Sequence, residues 1–179
     1  MKPLQTIPAF DSFLSTRGER FEAVIVGGSA LVLLGVVIRE TRDCDVIAPV
    51  LSAAMKEAAK EFASEFRKRG ESLDDEWLNN GPSSLANLLP EGWQSRTQPV
   101  FSGTALQLRA LGREDFLKTK LFAFCDRRTD LADCLAMAPT RVELEEARSW
   151  VQAQDANELW PDHVDEMFAE LGRRLGHGV

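Results

Sequence analysis

The sequence has little from which to build a metal–thiolate centre. It holds three cysteines, Cys44, Cys125 and Cys134, without Cys-x-x-Cys spacing, and only two histidines, His163 and His177. That excludes a zinc constellation of ordinary spacing. The expected role of each thiol is a small apolar filler in a reduced, cytoplasmic compartment. A long hydrophobic run is also missing. The apolar stretch 24–38 is broken by Gly27, Gly28, Ser29 and Gly35, and it falls short of the roughly 20 residues a membrane-crossing helix needs. The opening Met1-Lys2-Pro3-Leu4 has no apolar segment of a secretory signal, and Asp11 follows soon after, so neither membrane insertion nor secretion is expected. Cationic excess is absent too. With 21 basic and 28 acidic residues the net charge is −7, which excludes a non-specific nucleic-acid coat but leaves room for a local basic patch.

What remains is a globular composition, 44% hydrophobic and 27% charged over 179 residues. That length suits one domain burying about 70% of the surface of its unfolded chain. Glu22-Ala-Val-Ile-Val26 is short, β-branched and followed by Gly-Gly, and it reads as a buried strand. Ser29 is placed to cap a following helix through Leu34. Asp45-Val-Ile-Ala48 reads as a second strand stopped by Pro49. An amphipathic helix is expected from a Ser52 cap, with Met55, Ala59, Phe62 and Phe66 as its apolar stripe and Gly70 as its stop. From 71 to 97 the periodicity lapses into a long connection carrying Trp77 and Trp93. Each tryptophan either stacks on a base or pins the connection to the core. A strand over 105–111 and helices over 113–124, 129–137, 141–151 and about 162–175 complete the chain. The third of these helices opens with a Thr140/Glu143 capping box, and the acid-rich last one is expected to pack on the outside.

The stretch richest in chemistry is Val26-Gly27-Gly28-Ser29, thirteen residues (30 to 42), then Asp43-Cys44-Asp45-Val46. A Gly-Gly-Ser strand-to-helix turn presents bare backbone N–H groups to phosphate oxygens. In a strand, residues i and i+2 share a face, so Asp43 and Asp45 project together while Cys44 and Val46 turn into the core. Two carboxylates beside a phosphate cradle are what Mg²⁺-dependent phosphoryl or nucleotidyl transfer needs.

These residues resemble the signature of the nucleotidyltransferase superfamily that includes DNA polymerase beta. Gly28-Ser29 and Asp43-Cys44-Asp45-Val46 fill its pattern. The wider string, Gly27-Gly28-Ser29-Ala30-Leu31 leading to Arg39-Glu40-Thr41-Arg42-Asp43, looks like the bacterial branch with the AbiEii-type toxins of type IV toxin–antitoxin systems. It is closer still to a related family of short nucleotidyltransferase-like proteins. That likeness runs on through Trp77-Leu78-Asn79-Asn80-Gly81-Pro82, Leu89-Pro90-Glu91-Gly92-Trp93, the 113–121 segment with Asp130 and Asp133, and the helix with Glu143, Leu144, Ala147 and Trp150.

Lys120 can be read from its own helix. Phe116, Leu117, Leu121 and Phe124 form an apolar stripe that contains Lys120, so its ammonium must either snorkel to solvent or meet an anion. The resemblance implies nucleotide phosphate as that anion, with Asp130 and Asp133 orienting Lys120 or an arginine. A helix N-terminal charge preference is the other account of Asp130. Lys118 falls off the stripe and is expected at the surface. Six basic residues (Arg109, Arg113, Lys118, Lys120, Arg127, Arg128) against three acidic ones between 109 and 128 form either a patch for a nucleotide or nucleic acid, or an ordinary solvated face. The strand at 105–111 offers Gln107 and Arg109 on its polar face but no acid, where two-metal members of the superfamily carry a third carboxylate. Asp74 or Asp75 from the connection is the candidate substitute.

The expectation is therefore one α+β domain over 1–179, with a small mixed sheet and flanking helices in a core of about 1–111 and a helical part of about 112–179. The resemblance implies Mg²⁺-dependent transfer of a nucleoside monophosphate from an NTP to an RNA or protein hydroxyl. Asp43 and Asp45 would be catalytic and metal-binding, and Gly28, Ser29 and Lys120 would bind the nucleotide. A cognate antitoxin is the implied partner. The alternative is a catalytically inactive nucleotide-binding or protein-interaction module.

Overall fold

The computed structural model describes residues 1–177. They form an α+β fold whose chain divides into a sheet-containing unit, Met1–Leu111, and a helical unit that begins at Gly112.

The sheet unit opens with α1 (Pro3–Thr16), which sequence periodicity did not reveal. Its N-cap, Lys2, makes no side-chain cap and Pro8 sits inside it, so local signals are weak. Burial of Ile7, Phe10 and Leu14 holds it instead. Five strands follow: β1 (Phe21–Val26), β2 (Cys44–Ala48), β3 (Leu78–Asn79), β4 (Gln98–Ser102) and β5 (Leu106–Ala110). Their order across the sheet is β3-β2-β1-β5-β4. The sheet is mixed, since β1 runs antiparallel to β2 and parallel to β5. β2 pairs parallel with β3, and β4 pairs antiparallel with β5. The sequence announced neither β3 nor β4. β3 is two residues long, and β4 contains Pro99, which an edge strand tolerates because its N–H side can face away from a partner.

Two helices connect the strands. α2 (Gly27–Leu33) follows β1 directly, with Val26 at its N-cap and no side-chain cap. Ser29 therefore lies within the helix and is not its cap. α3 (Ala53–Lys68) begins as expected, with the Ser52 side chain accepting from Met55 N. It ends before Gly70, whose φ of +87° suits glycine. The long connection is pinned by its tryptophans. Trp77 is fully buried, packs edge-on against Phe10 at 5.0 Å, and donates from Nε1 to Ala59 O at 3.0 Å. Trp93 is buried as well. Both are anchors, so neither has a ring face free for a base.

The helical unit contains α4 (Arg113–Arg127), α5 (Leu131–Met137), α6 (Arg141–Gln152) and α7 (Trp160–Arg174). The Thr140/Glu143 capping box at the start of α6 is present in both directions. α7 packs on α4, α5 and α6 through Val164, Met167, Phe168 and Leu171, while Asp162, Asp165 and Glu166 stay exposed. All three cysteines are free and buried. Burial pushes the Cys125 and Cys134 thiols up to about 12, which fits inert filler. No helix among the described residues is long and apolar enough to cross a membrane.

Candidate functional site

The turn from β1 into α2 and the start of β2 come together in the sheet unit. Gly27 takes φ +73°, which lets the chain leave the strand and enter a helix at once. β2 begins beside it, since Val26 pairs with Asp45. The burial alternation predicted for 43–46 holds: Cys44 and Val46 are fully buried, whereas Asp45 and Asp43, which lies just ahead of β2, are half-buried. Burial and the two neighbouring aspartates also drive the Cys44 thiol pKa up.

The glycines serve close packing inside this turn. A side chain at Gly27 would collide with the Asp45 carboxylate, and one at Gly28 would crowd Thr41 Cγ2 at 3.1 Å and Arg39 Nη2 at 3.2 Å. The segment carrying Arg39 and Thr41 therefore lies across the turn. Ser29 fastens it there. The residue is 1% exposed and its hydroxyl donates to Asp43 O, while Thr41 Oγ1 sits 2.9 Å from Ser29 Oγ and donates to Asp43 O at 3.2 Å. Ser29 thus positions Asp43 through the backbone, and only its N–H faces the role expected of a phosphate cradle. Thr41 and Arg39 are site residues that the spacing argument alone did not single out. Their part becomes visible only when the loop 34–43 closes back on the turn.

A cavity of about 850 Å³ opens beside Asp43, bordered by α3 and the 74–81 segment. Asp74 and Asp75 line it, but Asp75 is held by Arg67 at 2.7 Å and Asp74 Oδ1 accepts from Glu76 N. On β5, Arg109 is tied to Thr97 through both Oγ1 and the carbonyl. Among the described residues no group of three or more His, Cys, Asp or Glu side chains is arranged to hold a metal. The two carboxylates of Asp43 and Asp45, two residues apart, still suit a single hard ion such as Mg²⁺, which keeps several waters and takes its other oxygens from substrate phosphate. The donor set fits one such ion.

Lys120, Asp130 and Asp133 meet in the helical unit. The ammonium lies 2.7 Å from Asp130 Oδ1 and 2.7 Å from Asp133 Oδ2, with Lys120 at 7% and Asp133 at 3% exposure. Burial opposes the charge, but the two carboxylates outweigh it and hold the Lys120 pKa above its ordinary value. Of the two options for a lysine in an apolar stripe, meeting an anion is the one realised, and the anions are its own chain's. Lys118, expected at the surface, is buried, with its ammonium on Glu114 one turn back. Its stem covers apolar surface while the charge finds a partner. The basic segment is therefore largely neutralised from within. Arg113 pairs with Glu143 and donates to Met137 O, and Arg127 approaches Asp130 at 3.7 Å.

A family model described as a nucleotidyltransferase of unknown function (DUF6036) matches residues 2–158. No curated protein and no solved structure matches the chain. The family match takes in the Gly27–Ser29 turn, Asp43, Asp45 and the Lys120 cluster, and it covers most of the sequence. The chain belongs to this family of nucleotidyltransferases of unknown function.

Proposed function

We propose that the sheet unit binds a nucleoside triphosphate with Mg²⁺ and passes its nucleoside monophosphate to a hydroxyl acceptor, releasing pyrophosphate. The carrying observation is the pair Asp45 on β2 and Asp43 just ahead of that strand, both half-buried and set against the Gly27–Ser29 turn, in a chain of nucleotidyltransferase family. Asp43 and Asp45 would hold the ion. When bound, Mg²⁺ supplies neutralisation of phosphate charge. The N–H groups of Gly28 and Ser29 lie in the first turn of α2, where they have no helical acceptor, and they are the groups we assign to phosphate oxygens. Lys120 has three donors and spends two on Asp130 and Asp133, so it enters the proposal as an oriented cation with one N–H to offer.

In the reaction the acceptor oxygen bonds to the α-phosphorus as the bond to the β-phosphate oxygen breaks. Pyrophosphate leaves with that electron pair, and the hydroxyl proton passes to water or to one of the two carboxylates. The likeness to the AbiEii-type branch supports an RNA or protein acceptor, a cognate antitoxin as partner and work in the cytoplasm. One observation favours a second reading, a nucleotide-binding or interaction module without turnover: the polar face of β5 carries Gln107 and Arg109 and no carboxylate.

The test is the thermal midpoint with each of ATP, GTP, CTP and UTP, with and without Mg²⁺, for the wild type and Asp45→Asn. At about 100 times Kd, binding stabilises the native state by roughly 2.7 kcal/mol. A Mg²⁺-dependent rise that is lost in the variant supports the site, and pyrophosphate release then separates transferase from binding module. No rise with any nucleotide overturns the transferase and the nucleotide-binding module and leaves the interaction module as the reading.

A further inference from the structure

Asn79 and Asn80 stand side by side at the edge of the sheet, yet their amides are used differently. Asn80 is consumed by the fold. Its Nδ2 donates to Val46 O at 2.9 Å and Pro49 O at 3.1 Å, and its Oδ1 accepts from Leu51 N at 2.6 Å. Asn79 accepts once, from Gly81 N to Oδ1 at 2.7 Å, and its Nδ2 has no partner among the described residues. The orientation of that amide is chemically determined, because a backbone N–H can be met only by the oxygen. Gly81 keeps the turn tight, since a side chain there would stand 2.9 Å from Asn79 Oδ1. Both N–H bonds of Nδ2 are thereby free for something outside the fold.

The register says where they are offered. β3 pairs parallel with β2, Asn79 beside Asp45 and Leu78 beside Cys44. Leu78 and Cys44 are buried, so Asn79 and Asp45 share the other face, one strand spacing of about 4.8 Å apart. Asn79 also lines the cavity that adjoins Asp43. Arg42, Lys56 and Lys60 line the same cavity, and none has an ion-pair partner among the described residues. An amide N–H beside carboxylates cannot hold a cation; it can meet only an acceptor oxygen. Three unpaired cations on the same wall can meet an anionic one, but five acidic residues (Asp43, Glu57, Asp74, Asp75 and Glu76) outnumber them, so the anion that suits this wall is one that arrives with a cation, as a phosphate chain does with Mg²⁺.

We infer that Asn79 is a third binding group of this site, its Nδ2 donating to an oxygen of the phosphate chain of the bound nucleotide. The inference rests on the nucleotide reading above and adds to it a neutral donor beside Asp45.

Asn79→Asp is the decisive variant. It keeps an oxygen for Gly81 N and removes both N–H donors. Asn79→Ala removes the donors without adding charge. The affinity of each purified full-length protein for the Mg²⁺ complexes of ATP, GTP, CTP and UTP is measured by calorimetry, along with the midpoint of the unliganded protein. Both variants are expected to bind the preferred nucleotide at least tenfold more weakly, about 1.4 kcal/mol per factor of ten. Asn79→Asp should keep more of the unliganded stability than Asn79→Ala, because its turn survives. Wild-type affinity in both variants overturns the inference while leaving the nucleotide site standing. Loss in Asn79→Asp alone is charge repulsion and overturns it equally. If the wild type binds none of the four, the nucleotide reading falls and this inference falls with it.

Discussion

The Asp45 carboxylate lies in the space that a side chain at residue 27 would take, with Oδ2 only 2.5 Å from where the Cβ would stand. Gly27 also carries φ +73°. Gly27→Ala therefore meets two separate costs, a left-handed backbone worth about 1–2 kcal/mol in an L-residue and a displaced Asp45. Gly35 separates them, because its φ is +72° and nothing lies within 4 Å of its missing side chain. Gly35→Ala should lower stability by the backbone cost alone and retain Mg²⁺-dependent nucleotide binding. Gly27→Ala should lose more stability and lose binding as well. Denaturant midpoints and nucleotide titrations of the two variants check the difference, and equal binding would show that Asp45 need not sit against the turn.

A second close approach ties α1 to the loop before β5. The Asp11 carboxylate accepts from Thr104 N at 3.2 Å and from Ala105 N and Leu106 N at 2.8 Å each. Burial opposes the charge, but the three N–H donors hold the Asp11 pKa below its ordinary 3.8. The stabilisation is thus present above that value and is lost as pH falls through the lower native one. Asp11→Ala leaves three amide donors without this acceptor and should cost about 1–3 kcal/mol. Gly103→Ala should cost a similar amount, because a side chain there overlaps the same carboxylate. The double variant should lose little beyond either single one. Fully additive losses in urea unfolding would show that the two residues do not act through one contact.

What the sequence made legible were features with local causes. The Ser52 cap and Gly70 stop bound α3, Thr140 and Glu143 open α6, and the alternation at 43–46 sets the face of β2. Elements held by distant partners were not legible. α1 has no side-chain cap, β3 is two residues borrowed by β2, and β4 carries a proline. The candidate site divides the same way. Its glycines and aspartates follow from spacing, whereas the clasp of Ser29 and Thr41 on the Asp43 carbonyl depends on how a loop returns across 12 to 14 residues. Lys118 shows the limit of stripe arguments. Its Glu114 partner is one helical turn away, yet a stripe drawn from apolar residues gives no sign that the lysine stem is buried.

Arg113 and Glu143 give the helical unit an acid-sensitive contact. Glu143 accepts from the Arg113 guanidinium through both oxygens and from Thr140 N, and the pair holds its pKa at about 2 against an ordinary 4.5. A depressed carboxylate stabilises fully above its unfolded value and loses that contribution as pH falls from 4.5 toward about 2. The pair is partly exposed, so its electrostatic share is no more than about 1 kcal/mol. Arg113→Met should be less stable than the wild type at pH 7, and the gap should narrow as pH is lowered through that window. Urea midpoints at several pH values measure it. A gap independent of pH would mean that the loss comes from the bond to Met137 O or from packing, without a contribution from Glu143 charge.

Lys120 is the strongest stability test because one of its partners, Asp133, is buried with it. Removing one member of a buried ion pair strands the other and costs on the order of 3–5 kcal/mol. Lys120→Met should therefore unfold at a markedly lower midpoint, since Asp133 is 3% exposed. Lys120→Met with Asp133→Leu should recover most of the loss, because the remaining Asp130 keeps Arg127 at 3.7 Å. The raised Lys120 pKa sets the sign of the pH effect. Its contribution is complete below the ordinary value of 10.5 and is lost as pH rises through the higher native value, so the wild type should lose an alkaline margin that the double variant lacks. The same double variant, once shown to be folded, decides the phosphate role proposed for Lys120. A fall in Mg²⁺-dependent nucleotide affinity there would support a direct contact. Unchanged affinity would leave the lysine as the charge that lets Asp133 be buried beside α4.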